Sequence, residues 1–378
     1  MSITPFQFHT APHIVFGEGE ASRLAEHTRE RLGRKVLVIT DPGVRSLGLP
    51  DEAIASFGRD VTVTVFDRIG PDPSRAMVED ALAVAHEIEA TGVVGFGGGS
   101  PLDVAKTVAL LAGSGEGIDG VWGVDQAKGP RLPLVLVPTT AGTGSEVTPV
   151  AIITVGETEK RGISSTLLQP DLALLDPALT FGLPASVTAA TGIDAMVHAI
   201  EAYSSRNANN NPVSRTLACE ALRLLAHHIE AAVDGERSAR APMLLGSMLA
   251  GQAFANSPVA AVHALAYPLG GRFKVPHGLS NAVLLPHVLA FNLQEPLAER
   301  AYRELSPFVG AQGSDGFIDR LVNLSQSVGL GSGMSELGVE ENHLDQMADD
   351  AMLQTRLLVN NPRPLTRDDA RAIYATAL

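Results

Sequence analysis

GVVGFGGGSPLDVAKTVALL, residues 92–111, changes its period halfway along. The first six residues form the kind of β-branched and glycine run that makes a buried strand. From Leu102 onward apolar residues return every third or fourth position, as on a helix. Between the two lie Gly97, Gly98, Gly99, Ser100 and Pro101. Glycine lets the backbone turn sharply and approach a ligand without a Cβ. Ser100 is placed to cap the helix, Pro101 suits its first position, and Asp103 completes a Ser-x-x-Asp capping pattern. The result is a helix start whose free N–H groups and positive dipole end can hold a pyrophosphate. The same glycines also suit a plain strand-to-helix turn with no ligand. The run is not the GxGxxG fingerprint, and it follows a later strand than that fingerprint does.

The alternation extends on both sides. Lys35 to Thr40, Val61 to Asp67 and Leu134 to Thr139 read as further strands, and residues 20–32, 50–57 and 74–91 read as amphipathic helices. Alternating strand and helix predicts a parallel sheet with right-handed crossovers. From about Phe181 the strand signal stops and Ala/Leu-rich stretches follow at 185–204, 212–233, 241–255, 259–269, 279–291 and 296–309. The expected organisation is an α/β domain over residues 1–180 and an all-helical domain over 181–378, divided in the Pro- and Gly-bearing segment 176–184.

A chain of 378 residues is long enough for two domains, each with its own core. Its net charge of −14 argues against a broad nucleic-acid or anionic-membrane surface, which would need clustered Lys and Arg. Small-molecule chemistry is the better match. The single cysteine, Cys219, has no internal disulfide partner and stands in an apolar helical setting, so it reads as a packed thiol. Residues 1–10 lack the basic start and apolar run of a signal peptide, and no stretch has the length of a membrane span, so a cytoplasmic protein is expected.

Two further cues point to a nucleotide. Asp41 ends the strand at 35–40 and could accept from ribose hydroxyls while repelling a 2′-phosphate; as part of Asp-Pro-Gly it equally suits a turn. The loop Pro138 to Thr148, PTTAGTGSEVT, carries the hydroxyls of Thr139, Thr140, Thr143, Ser145 and Thr148 directly after a strand. Lys160 reads from its own surroundings as a surface lysine.

In the helical half, Asp194 and His198 are four apart and project from one helix face. Such a pair arises by chance about as often as by design, and alone it reads as structural. His263 lies in an apolar helical run that also suits a satisfied core histidine, while His277 sits on a Pro-His-Gly turn, an exposed and positioned imidazole. Three imidazoles and one carboxylate suit Fe(II) or Zn(II) and do not suit Mg or Ca.

GGGSPLDVAK (97–106), PTTAGTGSEVT (138–148), TGIDAMVHAIEAY (191–203) and HALAYPLGGRFKVPHGLSNAVLLPHVLAFN (263–292) together resemble the iron-containing, group III alcohol dehydrogenase family. The resemblance runs from about Pro12 to Asn292 and is loose after Gly310. It implies a Rossmann-like α/β domain that binds NAD(P), a helical metal-binding domain, a dehydroquinate synthase-like architecture and an active site in the cleft between them. It assigns Asp194, His198, His263 and His277 to the metal, with Fe(II) expected and Zn(II) as the second choice. Asp41 goes to the adenosine ribose and Gly98, Gly99 and Ser100 to the pyrophosphate. Asp103, Thr139, Thr140, Thr143, Thr148, Lys160 and Leu179 go to the rest of the cofactor.

This sequence departs from the family pattern at two places. Tyr267 stands where many members have a histidine near the substrate, which puts any proton relay there in question; His277 and Tyr267 are the candidate catalytic residues. Asp72 stands where many have Asn, and a second carboxylate near the adenosine favours NAD over NADP. The implied reaction is hydride transfer between NAD(H) and a small or medium, largely uncharged alcohol or aldehyde, with Val150, Phe254 and Tyr267 near the pocket. A homodimer or larger homo-oligomer is expected. The alternatives are a Zn-dependent glycerol dehydrogenase-like or dehydroquinate synthase-like enzyme, and a non-catalytic NAD-binding sensor with a structural metal.

Overall fold

Val93 and Gly95 point to one side of their strand and Val94 and Phe96 to the other, and all four are buried. A strand apolar on both faces belongs inside a sheet covered on both sides, which is the parallel arrangement. The computed structural model describes residues 4–28, 31–156, 159–331 and 333–378. Its strands are β1 (Ile14–Phe16), β2 (Lys35–Ile39), β3 (Thr62–Phe66), β4 (Gly92–Gly97), β5 (Gly123–Val124), β6 (Leu134–Pro138), β7 (Val150–Val155), β8 (Glu159–Ser164) and β9 (Leu172–Leu175). Six of them form a sheet in the order β1-β9-β6-β4-β2-β3, every pairing parallel.

The side-chain alternation divides the core in two. Leu37, Ile39, Val93, Leu134 and Leu136 pack in one cluster under helices α1 (Arg75–Glu87) and α2 (Gly99–Ser114). Val36, Val38, Val94, Phe96, Val135 and Val137 pack on the other side with Ala21 and Leu24. Each side chain of this size contributes roughly 1.5–3 kcal/mol when fully buried. A Cβ on Gly95 would come within 2.7 Å of Leu136 Cδ2 and 2.8 Å of Ala105 Cβ, so glycine here is what lets α2 lie close on the sheet.

Several sequence expectations are corrected in this unit. A second, three-stranded sheet, β5-β8-β7, contains an antiparallel β7–β8 pair in place of a further parallel strand. The helix expected at 50–57 is the short segment Asp51–Ala55. The helix expected at 20–32 is a 3-10 turn Glu20–Arg23 followed by Leu24–Thr28, and its positions 29 and 30 lie outside the described residues. The first three positions of the N-terminal stretch read for a signal peptide also lie outside them.

The helical elements are α3 (Ala185–Ser204), α4 (Pro212–Val233), α5 (Arg237–Asn256), α6 (Ala261–Phe273), α7 (His277–Asn292), α8 (Pro296–Leu305), α9 (Gly313–Ser327), α10 (Leu344–Met352) and α11 (Arg367–Ala377). From Gly192 to Ser204 every residue of α3 is buried, because α4, α5, α7 and α8 all pack against it. A helix buried all round is expected to be apolar all round. Asp194, His198 and Glu201 break that rule, each 3–6% exposed. Buried groups of this kind are stable only when paired or ligating.

Contacts divide the described chain into one compact unit, His9–Gly182, and another made of Leu183–Leu378 with the described residues before His9. Cys219, on α4, is half-buried, and its thiol is pushed up to about 11, by burial first and then by the charge of Glu304. It stays protonated at neutral pH. Among the described residues no helix is long and apolar enough to cross a membrane.

Candidate active site

In the sheet order, the chain leaves β2 toward β3 on one side and returns through β4 on the other. Open α/β sheets bind ligands at the carboxyl ends of strands where the order reverses in this way. Asp41 follows β2 at that end and the glycine run follows β4. Gly97 has φ +151°, and a Cβ there would sit 2.8 Å from Pro101 Cγ and 3.2 Å from Asp41 Oδ2. Asp41 Oδ1 accepts from Val44 N at 2.9 Å as the N-cap of a short helix, Pro42–Ser46, where an Asp-Pro-Gly turn was the alternative expected. Its other oxygen faces the glycine loop.

The start of α2 corrects the expected capping. Gly98 is the N-cap residue and Gly99 the first helical one, which moves Pro101 to the third position; no side chain caps the helix. Leu102 N donates to Gly98 O at 3.3 Å, while Gly99 and Ser100 stand in the first turn, where helical N–H groups have no partner within the helix. Asp103 instead bonds outside its helix, to the loop after β6 and to β7: Oδ1 accepts from Ser145 Oγ at 2.7 Å and Oδ2 from Ile152 N at 2.9 Å. The loop after β6 closes over this start. Thr139 N donates to Gly97 O at 2.9 Å. Thr140 lies 3.6 Å from where a Cβ of Gly98 would be, and Thr143 lies 3.0 Å from that of Gly99. Three loops from adjacent strands therefore surround one helix N-terminus.

Two buried residues that the sequence reading did not single out belong to this region, Lys106, which ties the loop down, and Glu146. Lys106 donates to Ser145 Oγ (2.8 Å), Val150 O (2.8 Å) and Thr148 Oγ1 (3.1 Å), and lies 3.6 Å from Asp103 Oδ1. Burial lowers its pKa, opposed by the charges of Asp103 and Glu146. Glu146 is likewise buried and its carboxyl is pushed up to about 7, by burial above all. The spacing of Asp103 and Lys106, one turn apart, was the available signal.

Lys160, read as a surface lysine, donates from β8 to Asp72 Oδ1 at 2.5 Å, and Asp72 takes φ +50° to meet it. Leu179 is buried in the core cluster that contains Ala21 and Leu24. Apart from Leu179, the resemblance-derived cofactor residues thus fall into two groups: those around the α2 start, and the Asp72–Lys160 pair.

Asp194, on α3, is the centre of the second constellation. Its Oδ1 lies 3.8 Å from His263 Nε2 and 3.6 Å from His277 Nε2, and one ligand atom from each of the three residues falls within 4.8 Å of the others. His277 corrects its expected setting, since it opens helix α7 rather than sitting in a turn, with Pro276 as the N-cap residue. Lys274, in the left-handed region, reverses the chain after α6 and brings His277 back beside Tyr267, with ring centroids 6.4 Å apart. His198 stands beside the group rather than within it: its ring stacks on His263 at 4.8 Å and on Phe254 at 4.4 Å.

The electrostatics suit a cation. Burial raises the Asp194 pKa, but His198, His277 and His263, with a hydrogen bond from Asn281, bring it below the ordinary value. For His263 burial lowers the pKa, and the hydrogen bond and charge of Glu201 with the charge of Asp194 bring it above the ordinary value. Asn281 Nδ2 donates to Asp194 Oδ1 at 2.6 Å. Buried His263 Nε2 has no hydrogen-bond partner, although it faces a carboxylate. Tetrahedral bonds of about 2.1 Å hold their donors roughly 3.4 Å apart, close to the spacing of these atoms. The donor set and the orphaned nitrogen both fit a borderline divalent ion.

A glycine-rich helix start at a sheet switch point, in a chain that also carries a carboxylate-imidazole cluster, is the combination that a nucleotide- and metal-dependent oxidoreductase requires. Residues 11–177 match the model of iron-containing alcohol dehydrogenase, and residues 188–378 match that of the Fe-containing alcohol dehydrogenase family, C-terminal. The chain is 40% identical to long-chain-alcohol dehydrogenase 1 of Geobacillus thermodenitrificans over 390 residues, covering 100% of this chain and 97% of that one. It is 35% identical to 1,3-propanediol dehydrogenase of Klebsiella pneumoniae over 389 residues, covering both chains fully. The solved structure of a 1,3-propanediol oxidoreductase superposes with a TM-score of 0.94 at 34% identity, over 99% of this chain and 100% of that one. The chain belongs to the iron-containing alcohol dehydrogenase family. It is an oxidoreductase acting on CH–OH groups, with NAD(H) and iron as the family's cofactors.

Proposed function

We propose that this enzyme interconverts a small or medium, largely uncharged alcohol and its aldehyde, using NAD(H) in preference to NADP(H), with Asp194, His263 and His277 as metal ligands and His198, stacked beside them, as the fourth. The observation that carries the ligand reading is the convergence of Asp194, His263 and His277 around a buried imidazole nitrogen with no hydrogen-bond partner. When bound, a divalent ion supplies Lewis acidity toward the alcohol oxygen, and the nicotinamide accepts or returns the hydride.

The chain's own residues do the rest. Asp194 brings the negative charge that a buried cation requires, and Asn281 fixes that carboxylate by donating to Oδ1. Gly98, Gly99 and Ser100 offer a helix start to the pyrophosphate, with Thr140 and Thr143 alongside. Asp41 accepts from the adenosine ribose, and with Asp72 it disfavours a 2′-phosphate. Phe254, stacked on His198, and Tyr267, beside His277, supply apolar wall near the ligands, and Tyr267 adds a hydroxyl where many family members carry an imidazole. Relatives are named for methanol, 1,3-propanediol and long-chain alcohols, substrates that differ in chain length. A homodimer in the cytoplasm is part of this reading.

The test is metal analysis of the purified protein, joined to a panel of alcohols and aldehydes followed by nicotinamide absorbance. NADH with Fe(II) or Zn(II) is expected to reduce a short aldehyde, with NADPH at least about tenfold less effective. His263→Ala is expected to lose both metal and rate; retention of both would remove His263 from the ligand set.

A further inference from the structure

Glu201 follows Asp194 by seven residues and His198 by three on α3, so two helical turns return it to the side of the helix that carries Asp194. It is 4% exposed. Among the described residues its charge meets no lysine or arginine; three donors from the start of α6 converge on it instead. Ala260 N donates to Oε2 at 2.8 Å, Val262 N to Oε1 at 2.6 Å, and His263 Nδ1 lies 2.7 Å from Oε2. The first turn of α6 has no cap from its own N-cap residue, so the carboxylate that satisfies it comes from another helix.

An ionised carboxylate only accepts hydrogen bonds. The proton in the His263–Glu201 bond therefore belongs to Nδ1, and in the neutral imidazole the lone pair belongs to Nε2. That nitrogen is the orphaned one, 3.8 Å from Asp194 Oδ1. Glu201 also brings a second buried negative charge beside that of Asp194, and together they match a divalent cation.

We propose that Glu201 is a positioning residue of the metal centre. It fixes His263 with its proton on Nδ1, ties the ring to the start of α6, and supplies the second charge that neutralises the ion. The proposal rests on His263 being a ligand. A purely structural role, as the cap of α6, would lower the melting temperature of the apoprotein and leave the metal affinity of the folded protein unchanged.

Apoprotein is titrated with Zn(II) against a competing chromophoric chelator, for the wild type, Glu201→Gln, His263→Ala and the double variant. Glu201→Gln is expected to weaken Zn(II) binding by about 10- to 100-fold with an unchanged far-ultraviolet dichroism spectrum. In the His263→Ala background the same substitution should weaken binding no further. Wild-type affinity in Glu201→Gln, with His263→Ala impaired, overturns the role of Glu201 and leaves the ligand reading intact. Wild-type affinity in His263→Ala overturns both. Should Glu201→Gln not fold, long-range proton–nitrogen NMR of the Zn(II)-loaded wild type decides: a proton on His263 Nδ1 is expected, and one on Nε2 overturns the proposal.

Discussion

Glu146 is a carboxylic acid without an adequate partner: Oε1 is buried and makes no hydrogen bond, and the nearby ammonium of Lys106 is already committed to two hydroxyls and a carbonyl. Its pKa of about 7 lies above the ordinary 4.5, so the folded state holds the proton more tightly than the unfolded one. Ionisation therefore costs stability. The penalty is absent below about pH 4.5, grows through the interval to about 7, and is complete above it, amounting to about 3 kcal/mol. Glu146→Gln is expected to melt higher than the wild type at pH 8 and to lose most of that advantage at pH 5; an equal shift at both values would remove the carboxyl as its source. At this scale the sequence was uneven. Asp194, His263 and His277 were legible because their types and order are distinctive. Glu201 and Asn281 stand at helical spacings from Asp194 and His277, but a Glu in a helix ordinarily faces water, and only the central position of α3 puts this one inside. Asp103 was legible as a helix-start residue and misread as the partner of Ser100 in a capping pattern, because nothing local indicates that a strand 49 residues later will claim its oxygen.

Where α3 meets α7, backbone touches backbone. A Cβ on Gly278 would fall 2.3 Å from Ala190 O and 2.7 Å from Ala190 C, atoms that cannot yield as a flexible side chain would. The crossing sets the spacing of Asp194 and His277, the proposed ligands, because His277 precedes Gly278 and Asp194 follows Ala190 by one turn. Gly278→Ala should force the helices apart, destabilising the protein by about 1–3 kcal/mol and weakening metal binding, read by thermal melting and metal titration. Gly271→Ala, with nothing within 4 Å of the new methyl, is the control and should change neither. Helices of this unit were the most legible elements: 185–204 and 212–233 were bounded as observed, since long Ala/Leu periodicity leaves little ambiguity. β1 and β9 escaped because three and four residues are too short for a period, and LALL suits helix as well as strand. β8, Glu159–Ser164, escaped because its charged, half-exposed residues resemble a loop.

Across the described chain, the loops following β2, β4 and β6 and the Asp194–His263–His277 cluster fall in different compact units. A ligand that binds only the native state stabilises it by mass action, about 2.7 kcal/mol at a hundredfold excess over its dissociation constant. Hydrogen exchange should therefore separate the two cofactors: Zn(II) slows amides of α3, α6 and α7, and NADH slows those following β2, β4 and β6. Protection by Zn(II) confined to the α/β unit would contradict the ligand assignment. The sheet order has a consequence for how the molecule is made. β1, near the start of the chain, has β9 as its only neighbour in the sheet, with Ile14 opposite Ala173. A ribosome adding about 5–20 residues per second needs roughly ten to thirty seconds to bridge that separation. Until then β1 has no strand beside it; what it gains on pairing is backbone hydrogen bonds, since Ile14 and Phe16 stay exposed in the folded protein. β1 is therefore made long before the strand it pairs with, and its backbone N–H and C=O groups stay without their sheet partners for that interval.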